Sequence, residues 1–337
     1  MNLLRLPHLP CIDIINLMSP TEQFAVSLCS RRSFSVVKSL RRCNPDTLHL
    51  DTYHNYVCVG NNDFNYDFEI GQYSEHSNQP KEKVTVNGCS VPCRWKYDNE
   101  KSTKIGTYWK ESRVFATMKV IDHLSDLFKL EVSHMQIEHD WGIQLMEWVQ
   151  QRQKTLISIN VTSRDSEENA FEAENLKNII INCQAKKIRL RGHCSEPFEI
   201  PNFHKKCDLF ECNVGTWISL DNIMTMDCIE IRVYDKTFTS KEMNLFIKHW
   251  MSGGNSRLKV LKVTLSERDY NESELINGLN IRRNRVRNKL YEGFHYAIFE
   301  FPLFSFEVRR DDGVTASFQH TPRIFIFGVW PDAVGNT

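Results

Sequence analysis

The first forty residues place their apolar side chains at helical intervals and interrupt them with helix start and stop signals. Leu6-Pro7-His8-Leu9-Pro10 begins in extended form, because a residue ahead of proline is pushed out of the helical region. Ile12, Ile14, Ile15, Leu17 and Met18 then predict one short apolar helix. In Ser19-Pro20-Thr21-Glu22, Ser19 offers an N-cap oxygen, Pro20 takes the first helical position where a missing N–H is harmless, and Glu22 completes a capping box. Phe24 and Leu28, one turn apart, carry that second helix, and Phe34, Val37 and Leu40 predict a third. Three helices of this size bury too little apolar surface to stand alone. The module therefore needs a surface to pack on, either a partner's or its own chain's.

After the turn at Asn44-Pro45-Asp46 the pattern breaks up. Tyr66-Asp67-Phe68-Glu69-Ile70 and Lys83-Val84-Thr85-Val86 are short strand signals in a segment rich in Asn, Asp and Tyr, and the polar run from Gly71 to Lys83 predicts an exposed loop. From Arg113 onward strands alternate with helices. Apolar residues alternate with polar ones at Ile157, Ile159 and Val161, at Ile188 and Leu190, at Ile229, Ile231 and Val233, and at Leu261, Val263 and Leu265. Between them lie helical stripes at Trp141, Leu145, Trp148 and Val149, and at Met243, Phe246, Ile247, Trp250 and Met251. The last helix is closely delimited, by a Thr239/Glu242 capping box and by Gly253-Gly254.

These strands recur at the period of a solenoid, roughly 20 to 30 residues, without a strict leucine spacing or an asparagine ladder. The pattern predicts an irregular array with a parallel sheet and helices on one side; a non-repetitive α/β domain is the alternative. Either leaves a sheet face or its loops free for binding. The fold class is α+β. A small three-helix module (1–43) is followed by a β-rich and loop-containing segment (44–112) and an irregular α/β, leucine-rich-repeat-like domain (113–337).

The N-terminal pattern resembles an F-box, the motif that docks substrate receptors onto the Skp-family adaptor of cullin-based ubiquitin ligases. Leu6, Pro7, Leu9, Ile14, Ile15, Met18, Leu28 and Cys29 carry the resemblance, and it implies that they contact the adaptor. A second resemblance begins at Trp217-Ile218-Ser219-Leu220. It continues through Asp221-Asn222-Ile223 and Met226-Asp227-Cys228 to Asn244, Phe246, Lys248, Trp250, Gly253 and Leu258. This is similar to the F-box-associated type 2 domain found C-terminal to the F-box in nematode proteins, and it is strongest over residues 170–279. Most of these residues have packing roles: Phe246, Ile247 and Trp250 are core side chains at helical spacing, and a glycine at 253 or 254 supplies the positive φ of a helix stop. The match speaks for a fold, and through family membership for a role.

Composition narrows the chemistry. Lysine plus arginine equals aspartate plus glutamate at 42 each in 337 residues, so net charge points to neither a nucleic acid nor a membrane partner. Eleven scattered cysteines predict reduced thiols, and hence the cytoplasm or nucleus. The sequons at Asn160 and Asn271 are then chance matches. Pairs such as Cys89/Cys93, Cys207/Cys212 and His134/His139 lack the spacing of a zinc site, and phosphate-loop, dinucleotide and serine-elbow motifs do not occur. No cofactor or metal is expected. A cysteine nucleophile paired in space with one of the twelve histidines is a third reading. The basic run Arg282, Arg283, Arg285, Arg287 and Lys289 predicts a solvated helix face, with phosphate or acidic-partner binding as its sharper alternative. The aromatic tail, Phe294 to Phe306 and Ile324 to Phe327, predicts strands that close the end of the sheet, with a hydrophobic groove as alternative.

The resemblances together imply a non-catalytic substrate-recognition subunit. Its N-terminal helices would hold a Skp-family adaptor, and through it a cullin, while its C-terminal domain holds a target protein. The alternative is an α/β interaction module acting outside any ligase.

Overall fold

The computed structural model of the chain describes residues 7–42, 45, 47–52, 54–60, 65–72, 82–98, 102–138, 140–163, 170–283, 289–302 and 305–330. Two compact units divide it, Met1–Asn160 and Val161–Thr337.

The first unit opens with three ten-residue helices, α1 (His8–Leu17), α2 (Pro20–Cys29) and α3 (Arg31–Leu40). The capping box forms as its residues require: the Ser19 side chain accepts from the Glu22 N–H, and the Ser19 N–H donates to the Glu22 carboxylate at 2.7 Å. Asn16 joins α1 to the end of α3 by donating to the Leu40 carbonyl at 3.3 Å and accepting from the Arg42 N–H at 2.6 Å. The strands β1 (Thr47–Asp51), β2 (Tyr56–Gly60), β3 (Asn65–Gln72), β4 (Glu82–Val86), β5 (Cys89–Asp98) and β6 (Ser102–Trp109) follow, then α4 (Arg113–Phe128), β7 (Val132–Ile137) and α5 (Trp141–Arg152). The sheet order is β7-β1-β2-β3-β6-β5-β4. The β1/β7 and β3/β6 pairs are parallel and the rest antiparallel. Asn87 and Gly88, at φ +42° and +82°, form the two-residue turn between β4 and β5 that suits hairpin twist.

The helical module is not separate from this sheet. Phe24 is fully buried with its ring edge-on to Phe68 of β3 at 4.6 Å, and both Phe24 and Phe34 pack edge-on to His123 of α4. Residues 7–42 and the strands after them therefore share one core. Most of the expected loop between Gly71 and Lys83 lies outside the described residues; β3 runs on to Gln72 and β4 begins at Glu82. On α5 the buried residues are Gly142, Ile143, Leu145, Met146 and Val149, while Trp148 lies partly exposed under the Arg152 guanidinium at 4.5 Å.

The strand β8 (Ser158–Thr162) crosses the division between the units. The second unit continues with α6 (Ala173–Asn182), β9 (Lys187–Arg191), β10 (Lys206–Cys212), α7 (Leu220–Thr225), β11 (Asp227–Phe238), α8 (Ser240–Met251) and β12 (Val260–Leu265). A one-turn helix, α9 (Glu272–Leu275), leads to β13 (Arg282–Arg283), β14 (Lys289–Glu292), β15 (Ile298–Phe301), β16 (Phe306–Arg309), β17 (Thr315–His320) and β18 (Ile324–Val329). Strands β9 to β12 are parallel and adjacent in chain order. Phe306 and Ile324 to Phe327 close the sheet as expected, where β18 adds antiparallel to β12, followed by β17, β16 and β13, whereas Phe299 and Phe301 lie in a separate β14–β15 hairpin.

One face of this sheet carries Ile188, Leu190, Phe210, Cys212, Ile231, Val233, Leu261, Val263, Phe325 and Phe327, all buried. Phe246 and Trp250 of α8 meet Phe327 edge-on at 5.5 and 5.1 Å, so this face is the core. The Thr239/Glu242 capping box starts α8, and Gly253 at φ +96° follows its end. The basic run departs from expectation. Arg282 and Arg283 are extended and pair with β16, Lys289 opens β14, and residues 284–288 lie outside the described residues. Pairing with β16 satisfies backbone groups that a helix would satisfy internally, and it places the Arg283 guanidinium over the Phe306 ring at 4.9 Å.

Candidate interaction surfaces

The eight N-terminal positions divide by burial. Ile15 and Leu28 are interior, at 0% and 3% exposure, and Ile14 and Met18 are half-buried. Leu9 is 70% exposed, Cys29 is exposed, Pro7 is the exposed residue just before α1, and Leu6 lies outside the described residues. The helix α1 buries Cys11, Ile12 and Ile15 on one side and turns Leu9 and Leu17 outward, the latter 86% exposed. A helix with apolar residues on both sides ordinarily has something on each. Leu17, which the sequence marks as part of the apolar helix but not among the eight adaptor-contact positions, joins Leu9 on the outward side.

Behind α2, Asn87 donates its backbone N–H to His123 Nδ1 at 3.2 Å, which leaves the ring proton on Nε2, 2.8 Å from Ser27 Oγ. Ser27 donates in turn to the Phe24 carbonyl at 2.6 Å. Burial pushes the His123 imidazole down to about 4, against an upward pull from Asp126. The ring is a neutral hydrogen-bond bridge between α4, α2 and the β4–β5 turn.

The second surface is the other face of the second unit's sheet. Alternation predicts polar residues there, and on that basis a solvated face. Instead Glu230 is fully buried, Glu211 and Arg232 are 3% and 4% exposed, and they form a network. Parallel register aligns Arg189, Glu211, Arg232 and Lys262 as one row across β9 to β12. Glu211 accepts from Arg189, Arg191 and Arg232 at 3.3, 2.8 and 3.2 Å, and Arg232 also donates to Glu230 at 2.5 Å and to the Phe294 carbonyl at 2.9 Å. Burial pushes the Glu211 carboxyl up, but bonds and charge from Arg191 and Arg189 bring it net below its ordinary value. At Glu230 burial dominates and the carboxyl ends raised, even with Arg232 beside it.

The β14–β15 hairpin covers this network in part. Phe299 and Phe301 are buried against Val260, the Phe294 N–H donates to Glu230 at 2.9 Å, and a Cβ at Gly328 would lie 2.4 Å from the Phe301 ring. Between the hairpin and the sheet a cavity of about 430 Å³ remains, lined by Arg232, Tyr234, Lys262, Phe299 and Glu300 among others. A larger cleft of about 630 Å³ lies along Pro197–His204 and α7. There the polar groups already serve the fold: Asn222 donates to the Ile200 carbonyl and Thr225 to the Phe203 carbonyl, which hold the loop to α7.

Four buried thiols are set against acting as nucleophiles. Cys207 and Cys228 lie 3.3 Å apart on β10 and β11, both buried. A hydrogen bond to Cys228 and burial push the Cys207 thiol far up, and burial raises Cys212 to about 12, Cys93 to about 11, and Cys183 as well. Nucleophilic cysteines need the opposite shift.

With this geometry in view, the family match falls on the second unit. A family profile described as F-box associated matches residues 198–263, from the loop before β10 into β12. The F-box associated domain-containing protein sdz-33 of Caenorhabditis elegans is 23% identical over 117 residues, which is 34% of this chain and 35% of the relative. The match thus spans about a third of that relative's length. No solved structure matches.

Proposed function

We propose that this chain, which carries an F-box-associated domain at residues 198–263, is the substrate-recognition subunit of a Skp-cullin-F-box ubiquitin ligase. It does no bond chemistry itself. It holds a target near a ubiquitin-charged enzyme bound elsewhere, in the cytoplasm or nucleus, and raises the effective concentration of target lysines. The observation that carries this reading is the N-terminal helix α1, apolar on two sides and buried on one, in a chain whose second unit has F-box-associated sequence. Leu9 and Leu17, flanked by half-buried Ile14 and Met18, form the docking face for a Skp-family adaptor and through it a cullin. Ile15 and Leu28 act one layer below, holding the helices together. In the second unit, strand order along β9 to β12 supports a leucine-rich-repeat-like array that presents to a target the part of its charged face that the β14–β15 hairpin leaves uncovered.

A second reading has its own support. The helix α2 is already buried against β3 and α4 through Phe24 and His123, as expected if the helices only cap their own chain in an interaction protein outside any ligase. Affinity capture separates the two. The chain should bring down adaptor and cullin, and Leu9→Asp with Leu17→Asp should remove both while the melting temperature stays unchanged, since neither side chain is buried. Truncated interface anchors cost about 2 kcal/mol or more each, roughly thirtyfold in affinity. Capture that survives the double change favours the second reading.

A further inference from the structure

The charged sheet face of the second unit has a sign. Lys187, Arg189 and Arg191 of β9, Arg232 of β11 and Lys262 of β12 share it with Glu211 and Glu230, Glu307 of β16 is taken by Lys289 at 3.0 Å, and Glu300 stands at the cavity rim. Among these groups the cations outnumber the carboxylates, six to four. Glu230 is spent on Arg232 and the Phe294 N–H, and Glu211 on three guanidinium groups at once. Donors are left over. The Nε atoms of Arg189 and Arg232 are buried without an acceptor among the described residues, and Arg232 is 4% exposed and lines the cavity. The Lys262 ammonium lies over the Tyr234 ring at 5.3 Å, and no carboxylate among the described residues pairs with it. Two titrating groups report the positive field. Burial and then Arg232 lower Lys262, and burial followed by Arg189 and Lys187 lowers His295.

The cavity has an apolar wall and an open backbone edge as well. Its hairpin side is Ala297 and, from β15, Ile298 to Glu300, and that strand pairs only with β14 among the described residues. The edge already accepts one side-chain bond, from the Gln319 amide to the Glu300 carbonyl at 2.5 Å. Ile298, 68% exposed, and Leu290, 57% exposed, stand on the hairpin's outer surface. An extended peptide laid along β15 would gain backbone bonds from the edge and place alternate side chains toward Arg232 and Lys262.

From this juxtaposition we propose that the cleft between β15 and the side chains of Arg232 and Lys262 binds an extended acidic segment of a partner protein, its carboxylates meeting the surplus cations and its backbone extending the β14–β15 hairpin. The proposal rests on the reading of the second unit as the target-binding part. It is independent of adaptor docking, which involves the first unit.

The test uses the full chain and a fluorescein-labelled ten-residue peptide of alternating glutamate and valine, followed by fluorescence anisotropy at low salt. The glutamate peptide should bind at least tenfold more tightly than a lysine–valine peptide, and the binding should weaken about tenfold at 0.5 M salt as exposed charges are screened. Lys262→Gln should weaken it severalfold. Equal binding of the two peptides, or no binding of either, overturns the proposal without any variant having to fold. Adaptor capture on the same preparations separates the claims. Capture without peptide binding removes this inference and leaves the ligase reading standing, and peptide binding without capture does the reverse.

Discussion

Two buried polar side chains show how much a single residue does here. His123 is neutral because both ring nitrogens are committed and the ring is enclosed by Phe24 and Phe34. Its pKa is about 4 when folded and near the ordinary 6.5 when unfolded, so the unfolded chain takes up the proton first. The stability this ring supports is complete above pH 6.5, falls as pH drops toward 4, and changes no further below that. The total is about 3 kcal/mol, at 1.4 kcal/mol per pH unit. His123→Gln should flatten that part of the profile: the urea midpoint of the parent should fall between pH 7 and 4.5 by more than that of the variant. Parallel profiles would contradict the assignment. Arg232 is the counterpart in the second unit. Arg232→Met strands Glu230, fully buried, and should cost about 3–5 kcal/mol in chemical denaturation, whereas Glu230→Gln, which removes the charge and keeps a hydrogen-bonding group, should cost less. The sequence did not disclose this network. Glu211, Glu230 and Arg232 alternate with apolar residues as any solvated strand face does, and only the hairpin from a distant segment buries them.

At the scale of elements, local signals were legible wherever the residues themselves fix the backbone. Ser19-Pro20-Thr21-Glu22 and Thr239 with Glu242 state where α2 and α8 begin, and the structure forms both capping boxes. Each is expected to contribute about 1 kcal/mol. Thr239→Ala should lower stability by that amount in a thermal or denaturant melt, with the Phe246 and Trp250 packing unchanged. A negligible change would mean that tertiary contacts alone fix the start of α8. The strands of the first unit were harder to read. Asn87-Gly88 is a strong hairpin signal between Lys83–Val86 and the strand that follows, set in surroundings where polar residues mask the strand pattern. The basic run at 282–289 misled for a different reason. Charge density argues for exposure, yet exposure is compatible with an edge strand as well as with a helix, and β16 supplied a pairing edge from far along the chain.

For the whole molecule, the boundaries drawn from pattern at 43 and 112 do not coincide with the compact units, which divide at 160. The reason lies in α2. Phe24 and Leu28 satisfy the helical module's need for burial on its own chain, and the strands after residue 46 complete that core. What remains unsatisfied is narrower than a whole module: the outer side of α1 in one unit and the cationic cleft in the other. On the proposed reading one of these surfaces serves the machinery and the other the cargo, and α1 docks an adaptor. A direct calorimetric titration of the purified full chain with a Skp-family adaptor tests it. Submicromolar one-to-one binding, weakened at least a hundredfold by Leu9→Asp with Leu17→Asp, is the predicted result; no heat of binding at micromolar concentrations, or an affinity indifferent to those two changes, would contradict it.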